Sequence, residues 1–315
     1  MISKKLKAVF FGTPDFSVPS LELLATHPNI DLKYIVSMPD RPAGRGQNLK
    51  SPEVIEYAKN KNLPFFQCEN INKEINFIEK LESEKIDLII VLAFAQFLGS
   101  RVLQLPTKGC FNIHTSLLPK YRGAAPIQYA LLSGDSSTGV SIQKMVKKMD
   151  AGDLAVSIPI NIAQNETGGQ LYTKLKFAAA LALNELIESI NKGTTSFTPQ
   201  DENNVSFAPT LKKEDGFLDF KNETYQQIFN KIRALDPWPG TYCFLDKKRM
   251  KVFSIEKNPL SLSPGEINLS KSALSIGCKD CSINLVEIQL EGKKRSSMQS
   301  LINGLKETSQ INPEV

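Results

Sequence analysis

Residues 86–94 form an almost unbroken apolar run, rich in isoleucine and leucine and as long as one strand. Such a strand must be covered on both faces, which a parallel sheet flanked by crossover helices provides and a one-sided antiparallel sheet does not. The sequence before it supplies the repeat. Residues 6–11 read as a strand ending at Gly12, 18–25 as a helix, 32–38 as a strand, 52–61 as a helix, 63–67 as a strand and 75–84 as a helix. The alternation predicts an α/β fold with a Rossmann-like, mostly parallel sheet, in which ligands lie beyond the carboxyl ends of the strands. The first turn, Gly12-Thr-Pro-Asp-Phe16, is not G-x-G-x-x-G, because Pro14 stands where the second glycine belongs. No G-x-x-x-x-G-K-[ST] loop occurs either, so neither a nicotinamide cofactor nor a nucleoside triphosphate is expected.

A later strand ends in chemistry. Asn112-Ile-His-Thr-Ser-Leu-Leu-Pro-Lys-Tyr-Arg-Gly-Ala-Ala-Pro126 follows Gly109-Cys-Phe, and strand alternation puts Asn112 and His114 on one side of the sheet. An imidazole exchanges a proton near neutral pH, and an amide donates hydrogen bonds without changing charge, so the pair suits acyl-type chemistry. A lone histidine at a strand end is commonly structural. The case for catalysis therefore leans on Met149-Asp150-Ala-Gly-Asp153. One helix and one strand fit between His114 and Asp150, enough to bring the aspartate back to the same sheet end. There it can hold the imidazole's tautomer and take part in proton transfer. The other of the two histidines, His27, follows the first helix beside Pro28 and is expected at the surface.

With 315 residues, 41% hydrophobic and 23% charged, the chain has room for two domains. The expected division is a catalytic domain over 1–191, a linker over 192–206 rich in Gly, Thr, Pro and Asn, and a second domain over 207–315. After a helix over 225–235, short strands at 242–245, 250–255, 274–276 and 283–290 alternate with turns and read as a small β-barrel. Trp238, between two prolines, is read as a structural corner. Five scattered cysteines argue against a disulfide framework, and Cys278-Lys-Asp-Cys281 sits between two alternating runs as a hairpin turn would. The amino terminus leads straight into a strand and no apolar stretch is long enough to span a bilayer, so a cytoplasmic protein is expected.

A net charge of +5 permits nucleic-acid binding without requiring it, so any polyanion site must come from local clusters. Arg41, Arg45 and Lys50 face only Asp40 within 39–50. The prolines and glycines there predict an exposed, basic, mobile loop without regular structure. Lys247-Lys-Arg249 and Lys293-Lys-Arg295 are the other clusters, although solvated hairpin tips look the same.

The run NIHTSLLPKYRGAAPIQ at 112–128 with MDAGD at 149–153 resembles the folate-dependent formyltransferases. Segments 12–16, 39–46, 138–140 and 236–239 narrow the likeness to those acting on methionyl-tRNA, over nearly the whole length. The resemblance implies formyl transfer from 10-formyltetrahydrofolate to the α-amine of methionyl initiator tRNA, by a monomeric enzyme without a metal. It assigns catalysis to Asn112, His114 and Asp150, and the folate wall to Ser116, Leu117, Leu118 and Pro119. It further implies an OB-like carboxyl-terminal β-barrel domain that holds the tRNA. Arg41, Arg45 and Lys50 would reach the acceptor end, and Lys247, Lys248, Arg249, Lys293, Lys294 and Arg295 would meet phosphates. Two departures stand out: Gln47 and Asn48 where relatives often carry lysine, and Phe94 and Ala95 where they tend to have tyrosine and glycine. A formyltransferase for an amino-sugar nucleotide would need neither the basic loop nor the segment around Trp238. A non-catalytic RNA-binding protein on the same scaffold predicts a broken trio, and the trio is intact.

Overall fold

The computed structural model describes residues 5–43, 47–302, 305 and 309–312, and it divides into two compact units. The first comprises the chain through Pro126 together with Ser137–Asn161 and Tyr172–Ala208; the second comprises Ile127–Ser136, Ile162–Leu171 and the chain from Pro209 onward.

The strands of the first unit are β1 (Leu6–Gly12), β2 (Ile30–Ser37), β3 (Arg41–Ala43), β4 (Asn48–Lys50), β5 (Phe65–Gln67), β6 (Leu88–Leu92), β7 (Gly109–His114), β8 (Arg122–Gly123), β9 (Ser137–Lys144), β10 (Leu154–Asn161) and β11 (Phe207–Ala208). Seven of them form one sheet in the order β10-β9-β7-β6-β1-β2-β5. The five from β5 to β7 are parallel, and β9 and β10 complete the sheet antiparallel, so the mostly parallel reading holds. The apolar run becomes β6, with all five residues buried between β1 and β7. Helix α1 (Val18–Thr26) buries Leu21 and Leu24, and α2 (Glu53–Asn60) buries Val54, Ile55 and Ala58. Phe77, Ile78 and Leu81, one stripe of α3 (Ile75–Glu84), join Ile89 and Val91 of β6 in a single core. Phe94, just past β6, meets Phe11 edge to face at 5.0 Å.

Two expectations fail here. Residues 39–50 are not without regular structure: β3 and β4 pair antiparallel, Arg41 opposite Lys50 and Pro42 opposite Leu49. A two-stranded ribbon leaves outer edges unpaired, so a proline without an N–H is tolerated, and Asp40 ties the base by accepting from Gln67 at 2.7 Å and Ser51 at 3.0 Å. Arg45 lies outside the described residues. His27 is buried at 7% exposure rather than on the surface. Its Nδ1 accepts the Asn29 N–H at 3.2 Å, and its Nε2 lies 3.6 Å from Glu188, a carboxylate remote in sequence that position alone does not reveal.

In the second unit β12 (Thr241–Leu245), β13 (Lys248–Asn258), β14 (Ile267–Leu269), β15 (Leu274–Gly277), β16 (Ser282–Leu290) and β17 (Ser296–Ser297) form an antiparallel sheet along β12-β13-β16-β15-β14, with β17 on β16. Among the described residues this path is open from β12 to β14. The helix Tyr225–Ala234 opens on a capping box, Thr224 accepting the Gln227 N–H and Gln227 accepting the Thr224 N–H, and contributes Ile228 and Ile232 to the core that also holds Val252, Leu285 and Ile288. Cys278 and Cys281 close the β15–β16 turn, the Cys278 N–H donating to the Cys281 carbonyl at 2.7 Å, as read from the sequence. Burial pushes the Cys278 thiol up to about 12, which keeps it an inert thiol.

Candidate active site

β7 ends with Asn112, Ile113 and His114, and β9 runs antiparallel beside it with Gln143 opposite Asn112 and Ser141 opposite His114. Beyond β9 the chain returns through 149–153 and brings Asp150 back to β7. Asp150 Oδ1 accepts from Gln143 Nε2 at 2.9 Å and from Asn112 Nδ2 at 3.3 Å; Oδ2 accepts the Gly123 N–H at 2.9 Å and lies 3.8 Å from His114 Nδ1. The three residues named from sequence therefore converge. His114 Nε2 is 2.8 Å from the Tyr121 carbonyl. A carbonyl oxygen only accepts, so Nε2 carries a hydrogen and Nδ1 is the nitrogen left to exchange a proton beside Asp150. The tautomer is set by Tyr121's backbone, not by Asp150 as the sequence suggested.

Asp150 sits at φ 51°, a left-handed conformation that L side chains resist. Its turn is held by two glutamines. Gln143 Oε1 accepts the Gly152 N–H at 2.8 Å, and Gln200 Nε2 donates to the carbonyls of Asp150 at 2.9 Å and Gly152 at 2.7 Å. A Cβ on Gly152 would lie 1.8 Å from the Lys144 carbonyl oxygen, so the approach to β9 admits only glycine. Gln200 Oε1 accepts from Arg122 at 2.8 and 3.1 Å, and Arg122, its side chain 1% exposed, pairs with Glu202 at 2.7 Å. A guanidinium that deep must be paired, and the pairing leaves it no free edge for an anionic ligand. Hydrogen bonds from Arg122 and Lys148 hold the Glu202 carboxyl down at about 2. Sequence reasoning missed Gln143, Gln200 and the Tyr121 carbonyl. Gln143 alone left a signal, a polar residue within a strand otherwise suited to burial.

Ser116, Leu117, Leu118 and Pro119 follow directly. Ser141 Oγ donates to the Ser116 carbonyl at 2.8 Å and accepts the Leu118 N–H at 3.0 Å, pinning the loop to β9. Ser116 and Leu118 are buried, whereas Leu117 and Pro119 are partly exposed. Leu117 packs so close to Gly139 that a Cβ there would lie 2.5 Å from its Cδ2.

Residues 6–187 match the formyl transferase family, and residues 210–306 match the formyl transferase C-terminal domain. The methionyl-tRNA formyltransferase of Geobacter metallireducens is 38% identical over 300 residues, covering 95% of this chain and 96% of that relative. This chain belongs to the methionyl-tRNA formyltransferase family. Among solved structures, WlaRD, a sugar 3N-formyl transferase, aligns at TM-score 0.66 and 18% identity over 92% of this chain and 99% of its own. HypX from Aquifex aeolicus in complex with tetrahydrofolic acid aligns at TM-score 0.59 and 15% identity, covering 95% of this chain but only 47% of HypX. At those identities the likeness is one of fold.

The cations of this formyltransferase differ in their surroundings. Arg41 bonds Glu69 and Lys50 bonds Glu53, both at 2.6 Å and both more than half exposed. Exposed pairs of that kind exchange partners at little cost. In the second unit Arg295 makes two bonds of 2.6 Å to Glu287 and lies 4.0 Å over the Phe253 ring. Arg249 stacks on Tyr242 at 3.8 Å. Lys247, Lys248, Lys293 and Lys294 are exposed, and no described carboxylate pairs with them.

Proposed function

We propose that the chain, as a monomer in the cytoplasm, transfers the formyl group of 10-formyltetrahydrofolate to the α-amine of methionyl initiator tRNA, giving N-formylmethionyl-tRNA. The observation that carries this reading is the convergence of Asn112, His114 and Asp150 at the end of β7, in a chain that matches the family over residues 6–187 and 210–306. The amine attacks the formyl carbon, forming a C–N bond and moving the carbonyl pair onto oxygen. Asn112 Nδ2 and an imidazolium N–H at His114 Nδ1 stabilise that oxyanion. Asp150, within reach of both, takes the surplus amine proton through water, and a proton reaches the folate N10 as the C–N10 bond breaks and tetrahydrofolate leaves.

Ser116 to Pro119 form the wall against which the folate lies. Arg41, Arg45 and Lys50 meet the acceptor end of the tRNA, and Lys247, Lys248, Arg249, Lys293 and Lys294 meet its phosphates. The test is purified protein with labelled formyl donor, offered charged initiator tRNA, charged elongator tRNA and an amino-sugar nucleotide in turn. Label on the initiator alone is expected. Label on the sugar with the tRNAs untouched overturns the reading.

A further inference from the structure

Trp238 is the only tryptophan of the chain, and it is 54% exposed. The corner expected around it exists: the chain turns after the helix Tyr225–Ala234, with the Gly240 N–H donating to the Leu235 carbonyl at 2.9 Å. A residue needed only for that corner would bury its indole. Pro237 and Pro239 restrict the backbone on either side, so the ring has little freedom to fold back. Beside it lies a groove of about 360 Å³ lined by Trp238, Pro239, Lys213, Arg249 and Lys251, with Glu291 as its one acid. Arg249 is held flat on Tyr242, and its Nε is buried without a hydrogen-bond partner among the described residues. A guanidinium held in place by that stacking, next to two lysines and an open aromatic face, offers the two halves of nucleotide recognition: a stacking surface and a seat for phosphate.

We infer that Trp238 and this groove form a subsite for one unpaired nucleotide of the tRNA, its base stacked on the indole and its phosphate on Arg249, Lys213 and Lys251. A base inside a helix has both faces covered, so the nucleotide must be one whose stacking is open. The inference rests on tRNA being the substrate, and it adds a contact to bases where the cation clusters meet only backbone.

The single tryptophan makes the test direct. Saturation of the full-length wild-type protein with uncharged initiator tRNA quenches its tryptophan emission, whereas inorganic polyphosphate, which carries charge but no bases, competes for the groove without comparable quenching. Trp238→Ala weakens binding of labelled tRNA by roughly 5- to 150-fold, the range expected when one base loses its stacking partner, and Trp238→Phe recovers most of it. Formyl transfer by Trp238→Ala at saturating charged tRNA keeps the wild-type kcat with a raised KM, which also shows that the variant is folded. Lys251→Ala lowers the salt dependence of tRNA binding by about one unit and leaves the quenching intact. Emission unchanged at saturating tRNA, or wild-type affinity in Trp238→Ala, overturns the subsite while wild-type formylation of initiator tRNA leaves the proposed function standing. If the wild type does not formylate that tRNA at all, the proposed function itself has failed.

Discussion

The turn carrying Asp150 and the cationic face of the second unit are both polar, and they are built in opposite ways. Around Asp150 each carboxylate oxygen has a donor, and the backbone is locked by Gln143 and Gln200. On the second unit Lys247, Lys248, Lys293 and Lys294 are exposed without a described acid partner. Stabilising an oxyanion requires groups fixed before the reaction, because reorganisation would consume the gain. Holding a polyanion requires spare charge that can adapt to phosphates. The contrast fits the proposed division of the molecule, with bond making at the locked turn and binding at the cationic face.

The largest effect is expected where the locked region is broken at its centre. His114→Ala should lower kcat by on the order of a hundredfold or more with circular dichroism unchanged, since an oxyanion donor is removed. A folded variant with near-normal turnover removes His114 from the chemistry. Asn112→Ala should cost roughly 3 kcal/mol in the same direction. Gln143→Leu comes next, at on the order of tenfold to a hundredfold in kcat, because it deletes a hydrogen bond to a charged carboxylate. Steady-state kinetics of the folded variant measure it, and a wild-type kcat would make Gln143 a scaffold residue with no influence on the reaction.

How far each region was legible from sequence follows the same contrast. The parallel sheet was readable because an apolar run like 88–92 has few other places to go, and Asn112 with His114 because period-two alternation fixes their side. Asp150 was placed by its motif. Its supports were not, since Gln200 lies fifty residues away in a stretch that reads as linker and meets Asp150 only through tertiary packing. The cation clusters were visible as charge, but availability depends on neighbours that charge counting ignores: Glu287 and Phe253 engage Arg295, and Tyr242 engages Arg249. The pairing of 41–43 with 48–50 is not legible from proline content, because proline excludes a strand from sheet interiors and not from an isolated ribbon.

On the cationic face of the second unit a smaller, graded effect is expected. Lys247→Ala with Lys248→Ala should reduce the salt slope of tRNA affinity by up to about two units, one for each lysine that meets a phosphate. Arg295→Ala should leave the slope as it was, because its guanidinium is committed to Glu287. Titrations at several salt concentrations decide between them. A slope that falls equally for Arg295→Ala means that the Glu287 pair opens to admit phosphate, and the division between committed and spare cations does not hold.

The smallest effect concerns strain rather than charge. Ala95 lies exposed at φ 60°, in the same left-handed region as Asp150. The cost at Asp150 is offset by the hydrogen bonds of its turn, and replacing that residue removes a group that the proposed mechanism uses. At Ala95 the side chain is a single methyl, so its loss sacrifices little packing. Ala95→Gly should relieve the unfavourable φ while giving the unfolded chain more freedom, a balance expected to favour the folded state by a few tenths to about 1 kcal/mol. Thermal unfolding and reduced-folate titration measure the two consequences, and folate affinity should stay within about twofold while stability rises, because the substitution removes no hydrogen-bonding group. If affinity drops instead, the methyl group at position 95 shapes the folate wall, and the strained backbone beyond β6 belongs with Asp150 as part of the locked region.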